Sequence, residues 1–411
     1  MEEINKTLLD KKNYLLRQEP LVSIIVSICN NAHLLHTCID SIIEQTYSNL
    51  EIILIDNDST DSSLQVCKKF AKKDKRIQVY TKIFQATSDM QIFGLEKATG
   101  EYITFMNGAD FISLNYIEYQ LELLSTYDAD ISECNFIKVP ERDVAENIFE
   151  PPTQNKERID ILLPWQAIEN LHSVSYETCL RTVVLWNKLF KRSLFDNISI
   201  PKSRNFEDEF ITYKLFRNAN KIVSSNQILY GYVQIGFFKH KKVYEEHRLD
   251  ILDAYENYMK FFKKMNSPYM LARAGRRYLR IMLIIRKEIS TFDVILIKKD
   301  QIIEDLDTRF MTIYKFLNVL SDKYPYLSDE KPTYKTYYNQ YKTYIKIVNS
   351  FNKEYLKYKH NQIRQDFGQG DRHLVRNQKK VDVIMKEFLE YHNRNKQKKE
   401  NEKKNNKEQE T

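Results

Sequence analysis

The sequence lacks any run of about eighteen consecutive apolar residues, the length that a membrane-spanning helix needs. Its longest apolar segment, Ile281–Ile285, is flanked by Arg280 and Arg286, which is typical of a buried helix segment. The first twenty residues mix acids, bases and short apolar pairs, without the apolar core of a signal peptide. These absences predict a cytoplasmic protein whose membrane contact is at most peripheral, at the inner face.

Cysteine is scarce and shows no paired spacing. The five cysteines are odd in number and include no Cys-x-x-Cys pair, which argues against a disulfide framework and against a zinc site. They are Cys29, Cys38, Cys67, Cys134 and Cys179. The histidines also lack metal-ligand spacing. A reducing compartment is therefore the simplest setting for this chain.

The charge balance is only mildly basic. A formal charge of +7 and a pI near 8.8 fit phosphate-bearing ligands or an anionic membrane surface, and equally a soluble protein with a basic tail. Acidic residues are interspersed among the basic ones throughout, and no recognition motif is present. We therefore expect no nucleic-acid partner.

From Leu21 to Phe111, continuous apolar segments alternate with amphipathic helices of about three turns. The predicted strands are Val22–Ile28, Glu51–Ile55, Ile77–Thr81 and Tyr102–Phe105. The predicted helices are Asn31–Gln45, Asp61–Lys72 and Ser88–Lys97. Strands this apolar are typical of a parallel sheet that is buried on both faces. The fold class is therefore α/β, with a mostly parallel sheet.

After Phe111 the regular alternation of predicted strands and helices ends, and the last part of the chain shows only helical periodicity. We predict a helix over Ile159–Leu171, a helix opened by Glu207–Glu209 and a strand over Lys221–Val233. From about Tyr244, aromatic residues recur at helical spacing and glycine is almost absent, which predicts an all-helical C-terminal domain. The predicted divisions are an N-terminal extension (1–20), the α/β domain (21–240), the helical domain (241–392) and a disordered charged tail (393–411).

Seven segments carry a resemblance to a known family. They are Val22–Asn30, Cys38–Tyr47, Leu50–Asp61, Lys72–Ile77, Gly94–Ile103, Trp186–Arg192 and Phe206–Phe210. Together they resemble, in the same order along the chain, the family 2 inverting glycosyltransferases with the GT-A fold. The resemblance covers roughly the first 235 residues. It implies a Rossmann-like nucleotide-diphospho-sugar transferase domain.

The resemblance places the nucleotide at the turn after the second strand. The family carries Asp-Asp-Gly-Ser there, and this chain has Asp56, Asn57, Asp58 and Ser59. Asp56 remains to bind the base or ribose, Asn57 removes a charge, and Asp58 replaces a glycine that permits close approach to a phosphate. The same residues also fit a plain turn that caps the next helix. Both interpretations stay open.

Two further donor-site segments depart from the family pattern. At the end of the fourth strand the family has Asp-x-Asp for ribose and metal, whereas this chain has Asn107, followed by Gly, Ala and Asp110. Hard dications such as Mn²⁺ and Mg²⁺ need oxygen ligands, so Asp110 is the remaining anionic one. Where relatives place phosphate-binding residues, this chain has Gln85, Ala86 and Gln91. We expect weak metal binding or none.

The acidic motif of the family is retained. By resemblance Asp208 is the general base for the acceptor hydroxyl, with Glu207 beside it. Acids in the first turn of a helix are also favoured by the helix dipole, so a structural role is the alternative.

Two functions therefore remain open. The resemblance implies an enzyme that transfers a hexose or amino sugar from a nucleotide sugar, expected to be a UDP-sugar, to a cell-surface glycan, teichoic-acid or protein acceptor. In that case arginines of the helical domain could replace the missing metal; they are Arg273, Arg276, Arg277 and Arg280. The absence of the family's residues at the nucleotide, metal and phosphate positions instead favours a catalytically dead pseudo-glycosyltransferase that stabilises an active transferase. In either case the helical domain is expected to mediate homo-oligomerisation or contact with a partner.

Overall fold

A computed structural model describes residues 14–144, 156–173, 175–235, 246–291, 296–330 and 333–342. Within these residues nine strands form one sheet. They are β1 (Val22–Ile28), β2 (Leu50–Asp56), β3 (Ile77–Thr81), β4 (Tyr102–Asn107), β5 (Phe111–Ile112), β6 (Ile131–Pro140), β7 (Ile159–Leu162), β8 (Lys188–Lys191) and β9 (Ile222–Gln234). The strand order is β3-β2-β1-β4-β8-β6-β9-β5, and β7 pairs with β9.

The α-helices flank this sheet, and the described chain after β9 contains helices and no strands. They are α1 (Tyr14–Gln18), α2 (Leu35–Ile43), α3 (Ser63–Ala71), α4 (Thr87–Lys97), α5 (Tyr116–Tyr127), α6 (Pro164–Asn170), α7 (Tyr176–Val183), α8 (Glu207–Asn218), α9 (Asp250–Lys264), α10 (Pro268–Thr291) and α11 (Leu296–Lys323). Residues 333–342 are also helical. The predicted alternation of strands and helices up to β4 is confirmed.

Four strands, β3, β2, β1 and β4, pair in parallel and form the first half of the sheet. All seven residues of β2 are buried, as a strand covered on both faces requires. Helix α4 approaches β1 closely at Gly94, where an added Cβ would lie 2.4 Å from Cγ2 of Ile25. The carboxyl ends of these strands consequently lie along one edge.

The second half of the sheet is mixed, because β8 runs antiparallel to both β4 and β6, while β6 and β9 are parallel. The predicted helix over Ile159–Leu171 is wrong in its first part. Ile159–Leu162 is a strand antiparallel to β9, and the helix begins only at Pro164. Proline disfavours a helical conformation at the residue before it and is well placed in a first helical turn, and Leu163 is indeed extended, with ψ 156°.

The C-terminal half of the described chain is helical, as predicted. Tyr255, Tyr258 and Phe262 of α9 are buried, so the aromatic stripe is a packing face, although Met265 at its end is 44% exposed. The described residues, which end at Lys342, all belong to one compact unit by their contacts. The predicted boundary at residues 240 and 241 and the predicted charged tail lie outside the described residues.

Helix α10 contains the apolar segment Ile281–Ile285. Among the described helices, none combines the length and apolar character needed to cross a membrane.

Candidate active site

The carboxyl edge of the parallel strands carries the first group of polar side chains. Asp56 ends β2 and Asn107 ends β4, and Ser27 lies between them near the end of β1. Asp56 is fully buried, and its Oδ2 accepts from the Ser59 N–H at 3.2 Å and from the Thr81 hydroxyl at 3.3 Å. Its Oδ1 is buried without a partner among the described residues. A buried oxygen of this kind has capacity for a donor from a bound ligand.

The acidic motif begins α8. Phe206, just before the helix, has a φ of 60°, a left-handed conformation that is strained in a bulky residue and costs about 1–3 kcal/mol. Glu207 and Glu209 are buried and Asp208 is half-buried. The helix dipole favours acids here, but the burial of Glu207 and Glu209 opposes their ionisation, so the dipole alone does not account for the motif.

The flanking glutamates have different partners. The Glu207 carboxylate accepts from Nε2 of Gln91 at 3.0 Å. The Glu209 carboxylate faces the helical region, where it accepts from the Tyr258 hydroxyl at 3.3 Å and forms an ion pair with Arg277 at 3.4 Å. Helix α8 therefore links the carboxyl edge of the sheet to α9 and α10.

The three carboxyl groups share an upward shift in pKa. Burial raises the pKa of Glu207 to about 7 and that of Glu209 to about 7. The pKa of Asp208 is well above its ordinary value, first because of burial and then because of the charge on Glu207, while the charge on Lys188 acts in the opposite direction. A carboxylate with a raised pKa is a stronger base, as general base catalysis at neutral pH requires.

A cavity of about 190 Å³ separates the end of β4 from the start of α8. Its polar lining consists of Ser27, Thr87, Gln91, Asn107, Glu207 and Asp208. The Trp186 and Tyr232 rings, which also line it, are stacked with centroids 5.1 Å apart. Asp208 in addition lines a second cavity of about 550 Å³. The predicted residues Asn107, Glu207 and Asp208 thus meet at one site.

Comparisons with known proteins agree with this geometry. Residues 23–173 match the family described as Glycosyl transferase family 2. The glycosyltransferase GlyG of Streptococcus pneumoniae is 31% identical over 214 residues, which are 52% of this chain and 70% of GlyG. The chain belongs to the family 2 glycosyltransferases. An uncharacterised glycosyltransferase of Haemophilus influenzae is 30% identical over 248 residues, 54% of this chain and 99% of that relative.

Other relatives are longer than the shared region. The match to glycosyltransferase GlyA of S. pneumoniae has 28% identity over 218 residues and covers 51% of this chain, but only 30% of GlyA. Among solved structures, Staphylococcus aureus TarS 1-349 in complex with UDP aligns with a TM-score of 0.51 and 16% identity, over 78% of this chain and 91% of that one. The predicted GT-A fold is thereby confirmed for this family 2 chain.

The turn after β2 keeps its geometry despite the substitutions in the family motif. Asp58 adopts φ 48°, the left-handed conformation for which glycine is usual and which aspartate tolerates, and its side chain is exposed. The Asn57 carboxamide oxygen accepts from the Phe84 N–H at 2.7 Å. Asn57 therefore fastens the turn to the segment after β3. That contact supports the turn interpretation at Asn57, while the unpartnered oxygen of Asp56 leaves nucleotide binding open there.

Asp110, the predicted metal ligand, is only 1% exposed and is surrounded by hydrogen-bond donors. Its carboxylate accepts from Nδ2 of Asn107 at 2.8 Å, from the Tyr230 hydroxyl at 2.7 Å and from the Val233 N–H at 2.8 Å. Burial nevertheless raises its pKa to about 6. It does not line the cavity beside Asn107. Its observed contacts join β9 to the end of β4.

Lys188 lies outside the cavity lining but influences Asp208, and sequence reasoning missed it. It is fully buried, and its Nζ donates to the Val184 carbonyl at 2.6 Å and the Arg181 carbonyl at 2.7 Å, and lies 3.1 Å from the Glu133 carboxylate. Its charge is among the influences on Asp208. The sequence signal that could have found it is a lysine within a mainly apolar segment. Such a lysine is expected to be buried, and a buried lysine needs acceptors or a carboxylate partner.

Proposed function

We propose that this protein transfers a hexose or amino sugar from a UDP-sugar to a cell-surface glycan, teichoic-acid or protein acceptor. The observation that carries the proposal is the position of Asp208. It lies at the start of α8, has a raised pKa, and lines the cavity at the carboxyl edge of the sheet. Ligands of open α/β sheets bind at this edge, outside the ends of the strands.

In the proposed reaction, Asp208 accepts the proton of an acceptor hydroxyl. The freed oxygen attacks the anomeric carbon of the donor, forming the glycosidic bond while the bond from that carbon to the diphosphate oxygen breaks. The electron pair leaves with the nucleoside diphosphate. Attack from the face opposite the leaving group inverts the anomeric configuration. Gln91, which donates to Glu207, keeps that second carboxylate oriented beside the base.

The donor site is proposed to use Asp56 and Asn107. The free Oδ1 of Asp56 would accept an N–H of the base or a ribose hydroxyl, since each is a donor that can satisfy a buried acceptor. Uridine diphosphate is proposed because the structurally similar TarS was solved in complex with UDP. Asn57 and Asp58 shape the turn around this position.

The residues present do not fit a tightly held manganese or magnesium ion. Asn107 offers one neutral oxygen at this edge, and both oxygens of Asp110 already accept hydrogen bonds. Within the described ranges no three His, Cys, Asp or Glu side chains come together to hold a metal. A divalent ion at this site would depend mainly on the donor diphosphate for its ligands. The proposed reaction therefore has no step that depends on a resident metal.

A second candidate function is a pseudo-glycosyltransferase that stabilises an active partner. The carboxylate of Asp110 favours it, because its hydrogen bonds to Tyr230 and Val233 leave it unavailable to hold a cation that would neutralise the donor diphosphate. We further propose that the protein is cytoplasmic, and that its helical domain, residues 241–392, mediates either homo-oligomerisation or contact with the partner transferase.

Replacement Asp208→Asn tests the proposed function. The amide cannot accept the proton, so we expect sugar transfer to fall by about a hundredfold or more. Transfer is measured as UDP release from a panel of UDP-sugars in the presence of cell-envelope acceptors. UDP affinity, measured by calorimetry with and without Mn²⁺, should remain within about twofold of wild type, because Asp208 acts on the acceptor.

The matched control is Asp128→Asn, an exposed residue at the end of α5 that lines neither cavity. It should leave both transfer and UDP binding unchanged. Full transfer by Asp208→Asn would eliminate Asp208 as the base. A wild-type protein that binds no UDP or UDP-sugar would instead replace the enzyme proposal with the pseudo-glycosyltransferase.

A further inference from the structure

The turn between α7 and β8, residues 184–187, is fastened by a single ammonium group. Lys188, the first residue of β8, is fully buried. Its Nζ donates to the carbonyl oxygens of Arg181 at 2.7 Å and Val184 at 2.6 Å, and to the side-chain oxygen of Asn187 at 2.8 Å. Both carbonyl groups belong to the end of α7, where no further helical turn can satisfy them. The ammonium group therefore closes this helix end and fixes the path of the chain that follows.

The same turn contacts the acidic motif. Leu185 and Asp208 both line the cavity at the carboxyl edge, and the backbone N–H of Leu185 interacts with the Asp208 carboxyl group. From α8, the Thr212 hydroxyl donates to the Val183 carbonyl at 2.6 Å. The position of Leu185 relative to Asp208 therefore depends on Lys188 from β8 and on Thr212 from α8.

A buried ion pair keeps this lysine charged. Nζ of Lys188 lies 3.1 Å from Oε2 of Glu133, and Nε of Arg181 lies 3.1 Å from Oε1 of the same carboxylate. Burial lowers the pKa of Lys188, while the charge on Glu133 raises it. The oxygen atoms around Nζ suit an ammonium group, which offers one more N–H than a neutral amine and is attracted to Glu133.

Stability alone does not explain an ion pair buried at this position. Taking both charges out of water opposes their mutual attraction, and apolar side chains of similar volume often stabilise a core equally well or better. Lys188 has a further effect, because its positive charge favours the ionised form of Asp208. The pair thus has a consequence at the proposed base that an apolar pair would lack.

Several other charged groups surround Asp208. On its own helix these are Glu207 and Glu209. Around the larger cavity that Asp208 also lines, the charged or titratable groups are Arg248, Arg276, Arg277, Arg280, His172 and Tyr337. Replacement of Lys188 leaves all of them in place, so its own effect on Asp208 can be measured separately.

From these contacts we infer that Lys188 is a positioning residue for the proposed base. It holds the turn at residues 184–187 in contact with Asp208 and supplies a fixed positive charge near the carboxyl group, although it lies outside the cavity lining. This role rests on the proposed function, since it concerns the acceptance of a proton by Asp208.

Replacement Lys188→Met tests this role through the pH dependence of sugar transfer. Without the positive charge Asp208 ionises at a higher pH, so kcat for UDP release should fall about tenfold at about pH 7, and the loss should shrink as the pH rises towards about 9. The KM for the UDP-sugar should stay within about twofold of wild type, because Lys188 does not line the donor cavity. The matched control is Lys191→Met, at the exposed end of the same strand, which should leave kcat and its pH dependence unchanged.

The double variant Lys188→Met/Glu133→Gln separates positioning from stability. The single variant leaves Glu133 buried without its lysine, so its melting temperature should fall, and glutamine at position 133 should restore most of that loss. Sugar transfer at neutral pH should remain low in the double variant, because the positive charge near Asp208 is still absent. Recovery of kcat together with the melting temperature would show that Lys188 is only structural, and would overturn the inference.

Replacement Thr212→Val tests the turn without a change of charge, and it decides the question if the Lys188 variants do not fold. The variant removes the hydroxyl that donates to the Val183 carbonyl, so the turn loses one attachment to α8. We expect kcat to fall several-fold while its pH dependence stays that of wild type. Full kcat in Thr212→Val would show that the position of the turn does not govern Asp208, and the inference would be wrong.

Failure of this inference is separable from failure of the proposed function. Transfer that Asp208→Asn lowers and Lys188→Met leaves unchanged at every pH would exclude the role of Lys188 while the proposed function stands. Absence of transfer by the wild-type protein would remove the proposed function, and the role of Lys188 with it.

Discussion

Asp110 shows how a single carboxylate can act as a structural anchor at a ligand-binding edge. It accepts one hydrogen bond from Asn107 and two from β9, from the Tyr230 hydroxyl and the Val233 N–H. Hydrogen bonds to a charged acceptor are among the stronger ones in proteins. This carboxylate therefore fixes the end of β4, and with it the position of the Asn107 side chain in the proposed donor site.

Replacement Asp110→Asn should consequently lower stability more than ligand affinity. An amide accepts at only one of its two polar atoms, so we expect a loss of about 2–4 kcal/mol in the free energy of unfolding, measured with urea. Mn²⁺ affinity in the presence of UDP should stay unchanged. Abolished Mn²⁺ binding with unchanged stability would show that Asp110 is a metal ligand. The control for the loss of one negative charge is Asp128→Asn, at an exposed residue after α5.

At the scale of elements, the close packing of α4 on the sheet depends on Gly94. Replacement Gly94→Ala improves helix propensity by about 1 kcal/mol. The new Cβ would lie 2.4 Å from Ile25 and 3.0 Å from Ile55, so overpacking, at about 1–3 kcal/mol, should prevail. We expect a net loss of stability in thermal unfolding, whereas Glu96→Ala, exposed on the same helix, should change little. A higher melting temperature for Gly94→Ala than for wild type would contradict this prediction, and would show that α4 can shift away from β1 to accommodate the added methyl group.

Local sequence determined most of the parallel half of the sheet. The bounds of β1 and β3 were predicted to the residue because apolar runs and turn residues are local signals. The short run Ile159–Leu162 was misassigned, since four such residues fit a strand and a helix equally, and its pairing with β9 involves residues about sixty positions away. The hydrogen bonds of Asp110 could not be predicted from local sequence either, because two of its donors lie on β9, more than a hundred residues later in the chain.

At the scale of the whole molecule, the buried acidic motif couples stability to pH. Burial raises the pKa of Glu209 from its ordinary value of 4.5 to about 7 in the folded protein, so the folded state holds this proton more tightly than the unfolded state. Its contribution to stability is therefore fully present below about pH 4.5 and is lost as the pH rises through about 7. Glu207 contributes with the same sign.

We therefore expect the melting temperature of wild type to fall between about pH 5 and pH 8 more steeply than that of Glu209→Gln, which does not titrate. Sugar transfer should change in the opposite direction, rising with pH, because Asp208 must be ionised to accept a proton and its pKa is also raised. Identical slopes for wild type and Glu209→Gln in scanning calorimetry would contradict the assigned pKa shift.

The five free cysteines differ in solvent exposure, and this difference allows one position to be labelled selectively. Cys29 is exposed at the end of β1, whereas the other four cysteines are buried. A maleimide dye added to the folded protein should therefore attach at Cys29 alone, without prior mutagenesis. Because β1 lies between β2 and β4, the dye would be carried beside the strand ends that bear Asp56 and Asn107. Fluorescence from a single labelled position could then follow nucleotide occupancy in real time.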